Sequence, residues 1–308
     1  MPTEETIQHR PFPSHMRVFN LDELASTITE MNQAPSTFSP LGFLTLDRCA
    51  KFDVRKGELS LRKRKISSPT PSGMTFSASY FDAIELICDP LYCIEALSVS
   101  RKSNELERGV YWGDGTNIVE SYLAEDGLRM AALRPLASWL DIFAKVILGD
   151  SNQNTEPLIL PKNAYLMCQQ FAHSRNTLEA LTPHTLTHHL MQLNIEDNSQ
   201  IELLRSGLAD MGLLREEKGI LTHPIWACLY ADKNLQVTIQ DEEGTIDEIN
   251  FSGRPGNVIQ IGFAPQDEPS LLSLRWPSSD YLRDEMLEVL QIPIEEDLPS
   301  NSITKPQP

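Results

Sequence analysis

His184, His188 and His189 are the residues best suited by type to hold a metal, because His184 and His188 are four apart on a helix expected over 183–193 and would share a face. The zinc-peptidase pattern needs a glutamate where Thr185 stands, and no carboxylate follows at a ligating spacing, so a neutral structural pair is the better reading and no metal is expected. Trp112-Gly113-Asp114-Gly115-Thr116 has two of the glycines of a phosphate-cradling turn but lacks the third glycine and the strand-to-helix context, so it reads as a hairpin turn. No G-x-S-x-G elbow occurs, and the cysteines have no histidine near them in sequence. Neither catalysis nor a cofactor is expected from this chain.

Charge gives two further candidates. Arg48, Lys51, Arg55, Lys56, Arg62, Lys63, Arg64 and Lys65 place eight of the 26 basic residues in one short segment. That segment is either a patch for an acidic partner or a solvated hairpin that pairs with the protein's own acidic surface, and the second is the favoured reading. Gln200 to Pro224 has the outline of the second helix and wing of a winged-helix module, which makes a DNA-binding regulator the alternative function. Its exposed helix positions would be Gln200, Glu202, Arg205, Ala209 and Asp210, and its turn carries Glu216 and Glu217. Shape without positive charge disfavours nucleic acid as a partner.

The whole chain agrees with that exclusion. Its 308 residues carry a formal net charge of −17, which repels polyphosphates and anionic lipid surfaces. A hydrophobic content of 41% is enough for a buried core, yet no apolar run reaches the roughly 18 residues of a spanning helix, so membrane insertion is not expected. Five cysteines, Cys49, Cys88, Cys93, Cys168 and Cys228, without C-x-x-C spacing, point to a reducing compartment. Met1 to His15 lacks the apolar core of a secretory signal, and a cytoplasmic protein is expected.

The elements that must position any site follow from pattern. Residues 1–17 read as a disordered arm. Asn20 and Glu23 form a capping box for a helix to about Gln33, with Phe19 stapling onto Leu24. Phe52, Val54, Leu59 and Leu61 alternate with charge around Lys56-Gly57, which predicts a hairpin, and Ser67 to Gly73 reads as a loop because of Pro69 and Pro71. Ser79 is the expected cap of a short helix that Pro90 ends. Four antiparallel strands over 91–134 and a helix over Leu136 to Leu148 complete the first half, 18–150. The second half, 151–292, opens with helices over 164–173, 183–193 and 200–211, then a small hairpin around Glu216 to Gly219. A second four-strand meander over 235–276 and a helix over Asp280 to Gln291 close it, and 293–308 reads as a disordered acidic tail.

The halves share a plan. Gly113-x3-Asn117-Ile118-Val119, a strand to Ala124, an acidic turn, a strand to Arg134, Pro135 and a helix with Trp139, Leu140, Phe143, Val146 and Ile147 form one copy. Gly253-x3-Asn257-Val258-Ile259, a strand to Ala264, an acidic turn, a strand to Arg275, Pro277 and a helix with Tyr281, Leu282, Met286, Val289 and Leu290 form the other. An internally duplicated α+β body is expected, its quasi-two-fold antiparallel sheet flanked by helical bundles, with Val119 and Ile259 in equivalent places.

In this plan the chain resembles the EspG family of type VII secretion chaperones over residues 19–292. The resemblance implies a cytosolic, non-enzymatic chaperone that shields a helical, aggregation-prone secreted partner and delivers it to a secretion system. No residue signature is shared, so no family binding residue is carried over. The partner surface is expected instead at the sheet's edge and exposed loops. The Ser100 to Arg108 connection, with Arg101, Lys102, Glu105 and Glu107, is longer and more charged than a tight hairpin needs. Trp112 is added as a possible partner anchor, whereas Trp139 lies on the apolar face of its helix and reads as core.

Overall fold

The computed structural model describes residues 16–71, 73–100, 106–149, 155–161, 206, 209, 216–217, 220–221, 233–254, 256–263 and 271–290. The expected arm, the tail, the helices over 164–211 and the three clustered histidines lie wholly or almost wholly outside them.

Strand β1 (Arg17–Phe19) leads into helix α1 (Leu21–Met31), which starts where local chemistry dictates. The Glu23 amide donates to Asn20 Oδ1 at 3.0 Å, and the Asn20 amide donates to Glu23 Oε2 at 3.1 Å. Helix α2 (Leu46–Cys49) is one turn, and helix α3 (Val54–Lys63) replaces the expected Lys56-Gly57 hairpin. Two forces produce that helix. Asp53 Oδ1 accepts from the Lys56 amide at 2.9 Å as a cap, and Gly57 lets α3 cross α1 closely, since a Cβ there would lie 2.0 Å from the Asp22 carbonyl oxygen. Gly57 and Leu61 are one turn apart and both buried, so the period is helical. Ser67 to Gly73 is likewise not a loop: β2 (Ser67–Thr70) pairs with β3 (Gly73–Phe76) as an isolated ribbon, where Pro69 costs no central ladder bond. Helix α4 (Ala78–Cys88) begins after Ser77, not at Ser79.

The remaining elements are β4 (Tyr92–Ser100), β5 (Leu106–Gly113), β6 (Asn117–Ala124), β7 (Gly127–Met130), β8 (Arg134–Pro135), α5 (Leu136–Leu148), β9 (Leu158–Pro161), β10 (Glu216–Glu217), β11 (Ile220–Leu221), β12 (Lys233–Asp241), β13 (Gly244–Arg254), β14 (Asn257–Phe263), β15 (Leu271–Arg275) and α6 (Ser279–Val289). The main sheet runs β1-β7-β6-β5-β4-β12-β13-β14-β15-β9, with β8 also on β6, and its neighbours pair antiparallel. The order reads the same outward from the β4–β12 seam, each half adding three meander strands and then an earlier strand at the edge. Register follows suit. Gly113 faces Ile118 and Trp112 faces Val119 in one half; Gly253 faces Val258 and Ser252 faces Ile259 in the other.

One expected strand is broken. β7 stops at Met130, and Arg134-Pro135 returns to pair with Ile118 and Asn117, so the chain bends at Ala131 to Leu133 where the second half runs straight to Arg275.

Alternation along the strands builds two cores. Cys93, Val110, Trp112, Val119 and Leu128 pack with Phe19, Leu24, Ile28, Ile84 and Ile87 under α1 to α4. Ile94, Tyr111 and Ile118 point the other way, and join Val237, Ile239, Phe251 and Val258 beneath α5 and α6. The architecture is α+β, built on a large antiparallel sheet. No helix among the described residues is long and apolar enough to cross a membrane.

Candidate protein-binding site

The β4–β5 hairpin stands beside the seam of the sheet, and its character changes along its length. At the base, Trp112 is 9% exposed; its indole N–H donates to the Ser121 carbonyl at 3.2 Å and its ring meets Phe38 edge-on at 5.6 Å. Trp112 therefore fixes the hairpin in the core and is not presented to a partner. Midway, Arg108 Nε donates to Glu95 Oε1 at 2.6 Å across the two strands. Toward the tip the same face turns apolar, with Leu97, a Val99 that is 38% exposed, and Leu106 opposite Val99.

Next to that tip the sheet is hollow. A recess of about 300 Å³ is bounded by Leu97, Val99, Gln236, Asn250, Ile261 and Leu272, among others. Leu97, Gln236, Asn250 and Ile261 stand in one row across four strands, because each is the register partner of the next. Gly262 adds to the hollow, since a Cβ there would meet nothing nearer than the Ser273 carbonyl oxygen at 4.0 Å. The described residues around the recess present aliphatic carbons, two side-chain amides of β12 and the Asn250 amide, which donates to Glu248 at 2.9 Å. None of those lining residues titrates. The arrangement can bury apolar side chains and hydrogen-bond a polar edge; among the described residues that line it there is no acid, base or nucleophile.

Of the five residues named from sequence, Arg101, Lys102 and Glu105 lie outside the described residues. Glu107 sits in β5 opposite Ser98, half-buried and on the face away from the recess, and it is already engaged. The recess residues escaped notice in the sequence because Gln236 and Asn250 interrupt the alternation that would have marked an apolar row. The signal that was available is the hydrophobic alternation Leu97-Val99 running right up to the charged connection.

Three of the eight basic residues, Lys56, Arg62 and Arg64, pair with the protein's own carboxylates as the favoured reading expects, although on a helix and not a hairpin. Lys56 Nζ meets Asp22 at 2.8 Å, Arg64 meets the buried Glu23 at 2.8 Å and lies 4.6 Å from the centre of the Phe19 ring, and Arg62 pairs with Glu58. The Asp22 carboxyl is held below its usual range, chiefly by its hydrogen bond from Lys56. Lys56 and Arg64 tie α3 and its C-terminal cap to α1, and the Arg62–Glu58 pair lies within α3. The small hairpin expected around Glu216 to Gly219 is present as a two-strand ribbon in which Glu216 faces Leu221 and Glu217 faces Ile220. The thiols of Cys88 and Cys93 are buried in the first core, and burial pushes both up to about 12, which leaves them protonated and unreactive. Among the described residues no group of three or more histidine, cysteine or acidic side chains is arranged to hold a metal.

No family model matches the chain, and no curated protein matches it. Among solved structures, its layout is similar to that of the Mycobacterium tuberculosis type VII secretion system chaperone EspG5 in complex with a PE25-PPE41 dimer. The two are 10% identical with a TM-score of 0.44, over 92% of this chain and 98% of that one. A likeness at that score and identity is one of layout, and it carries no argument about what this chain binds.

Proposed function

We propose that this protein is a non-enzymatic chaperone or adaptor that shields an apolar helical segment of a secreted partner in the cytoplasm and delivers that partner to a secretion system. The observation that carries the reading is the juxtaposition, beside the β4–β12 seam, of a recess whose described lining is mainly apolar and does not titrate with the apolar end of the β4–β5 hairpin, where Val99 is exposed and a charged segment follows in sequence. Apolar surface on the sheet suits reversible burial of a partner's side chains, and Arg101, Lys102 and Glu105, in the sequence between β4 and β5, would steer the approach. The palindromic strand order and matched register support an internal duplication, with the seam between the copies serving as the binding platform. Helical bundles over both halves of the sheet complete the proposed form.

The test is a Val99→Asp variant, which places a carboxylate on the exposed tip without touching either core. Co-purification of a helical secreted protein with the wild-type chain, and its loss with the variant at unchanged thermal stability, is the expected result. Equal recovery of the partner by both proteins would remove the recess from the binding surface. Replacing Arg101 and Lys102 by Glu is expected to slow association with an acidic partner and to make it less sensitive to salt.

A further inference from the structure

Once the ion pairs of the basic segment are made, five of its cations are left over. Arg48, Lys51, Arg55, Lys63 and Lys65 are exposed, and among the described residues none of them makes an ion pair. Arg48 Nη1 donates to the Phe43 carbonyl at 3.2 Å, a neutral acceptor that leaves its charge unmatched. The carboxylates of the same stretch do not cancel the five: Glu58 is taken by Arg62, and Asp47 and Asp53 remain, the latter capping α3 through the Lys56 amide. On a chain of formal net charge −17 this is a surface of the opposite sign to the whole.

Helix stability does not account for where these cations stand. Lys63, in the last turn of α3, complements the helix dipole, but Arg55 stands in the first turn, where the free amides repel a cation and where α3 carries no acidic residue. Lys56 beside it is matched by Asp22, whereas Arg55 has no such carboxylate among the described residues. Leu59 lies one turn from each of Arg55 and Lys63, on the side of the helix opposite the buried Gly57 and Leu61, and is 58% exposed. The outward face of α3 is therefore a stripe of cation, leucine and cation, with Arg48 and Lys51 in the turn before it and Lys65 just past its end.

That chemistry selects an occupant. Carboxylates on either side of an aliphatic side chain match the stripe, whereas a nucleic acid has no aliphatic group to cover Leu59, and a polyphosphate longer than the patch would lie over the rest of an acidic surface. We propose that the outward face of α3 docks an acidic segment of a protein partner in which an aliphatic residue sits between carboxylates. None of the described lining of the recess beside the β4–β12 seam belongs to α2 or α3, so this is a second protein contact, beyond the function proposed above.

The probes are three peptides of about 12 residues, long enough to lie along the whole of α3: a central leucine flanked by glutamates, the same leucine flanked by lysines, and the glutamates kept with serine in place of leucine. Fluorescence anisotropy against the full chain at low salt should show saturable binding of the first peptide, at least about tenfold weaker binding of the lysine peptide and about threefold weaker binding of the serine peptide, and a loss of affinity as salt is raised. Arg55→Glu with Lys63→Glu should weaken the first peptide at least about tenfold and strengthen the lysine peptide, in a protein whose melting is unchanged. Lys51→Glu with Lys65→Glu, which leaves α3 intact, should act in the same direction. Absence of saturation, equal binding of the glutamate and lysine peptides, or indifference to both double variants would overturn the proposal. A single-stranded oligonucleotide that binds more tightly than the first peptide and is lost with Arg55→Glu and Lys63→Glu would assign the face to nucleic acid and overturn it as well. Val99→Asp should leave the peptide's affinity unchanged, and loss of binding in that variant would place the peptide in the recess and remove this second surface.

Discussion

Glu285 has a carboxyl that burial holds above its ordinary value of 4.5, even though Gln260 and Tyr281 both hydrogen-bond to it. A carboxyl whose folded-state value lies above its unfolded one favours folding most below the unfolded value, and that contribution is lost as pH rises through the folded value. The Glu285→Gln variant keeps a side chain that can bond to Gln260 and Tyr281 and loses the titration. Its urea stability should therefore fall less than that of the wild type between acid and neutral pH, and parallel curves for the two proteins would show that the carboxyl is not desolvated. At this scale the sequence is legible where partners are close along the chain. The Asn20–Glu23 capping box is read from two residues three apart, whereas the Ser60 and Arg64 that also hold Glu23 come from α3 and its C-terminal cap, about forty residues away, and follow only from the packing of α3 on α1. Trp112 has the same lesson in reverse: its type suits a partner anchor, and only the fold shows its N–H spent on Ser121.

Among the elements, α3 tests the account most sharply, because its sequence supports two periods. Phe52, Val54, Leu59 and Leu61 alternate as a strand would, and a central glycine reads as a turn, so pattern alone favours a hairpin. The glycine is there for contact. Ala is normally better than Gly inside a helix by about 1 kcal/mol, yet a Cβ at position 57 would meet the Asp22 carbonyl at 2.0 Å and push α3 off α1. Gly57→Ala should therefore lower stability by about 1–3 kcal/mol in chemical denaturation. A stabilised variant would mean that the two helices do not cross there. The β2–β3 ribbon was hidden for a related reason: Pro69 argues against a central strand, and the argument fails for a two-strand ribbon with free edges. Meander strands and closing helices, by contrast, were legible because alternation and the 3.6-residue period extend over whole elements, and α5 has the bounds that its pattern implies.

On the scale of the molecule, the palindromic sheet explains why catalysis is hard to place and binding is easy. A wide antiparallel sheet closed by α5 and α6 on one face spends polar groups on structural networks such as Glu23–Arg64 and Glu285–Gln260, and the described residues of the recess beside the β4–β12 seam present mainly aliphatic carbons and amides. The order of elements could be read from the repeated segments, but the seam between β4 and β12 could not. Which strands meet across halves is set by long-range pairing that neither half encodes by itself, and the recess at Leu97, Gln236 and Asn250 exists only once they meet. The central claim is that such a surface is occupied by a protein. Native mass spectrometry of the chain purified from its own host tests it most directly. The account predicts a stoichiometric complex heavier than the 34.7 kDa chain by the mass of one helical secreted protein. The chain recovered repeatedly at its own mass, or bound to DNA or a small molecule instead, would contradict it.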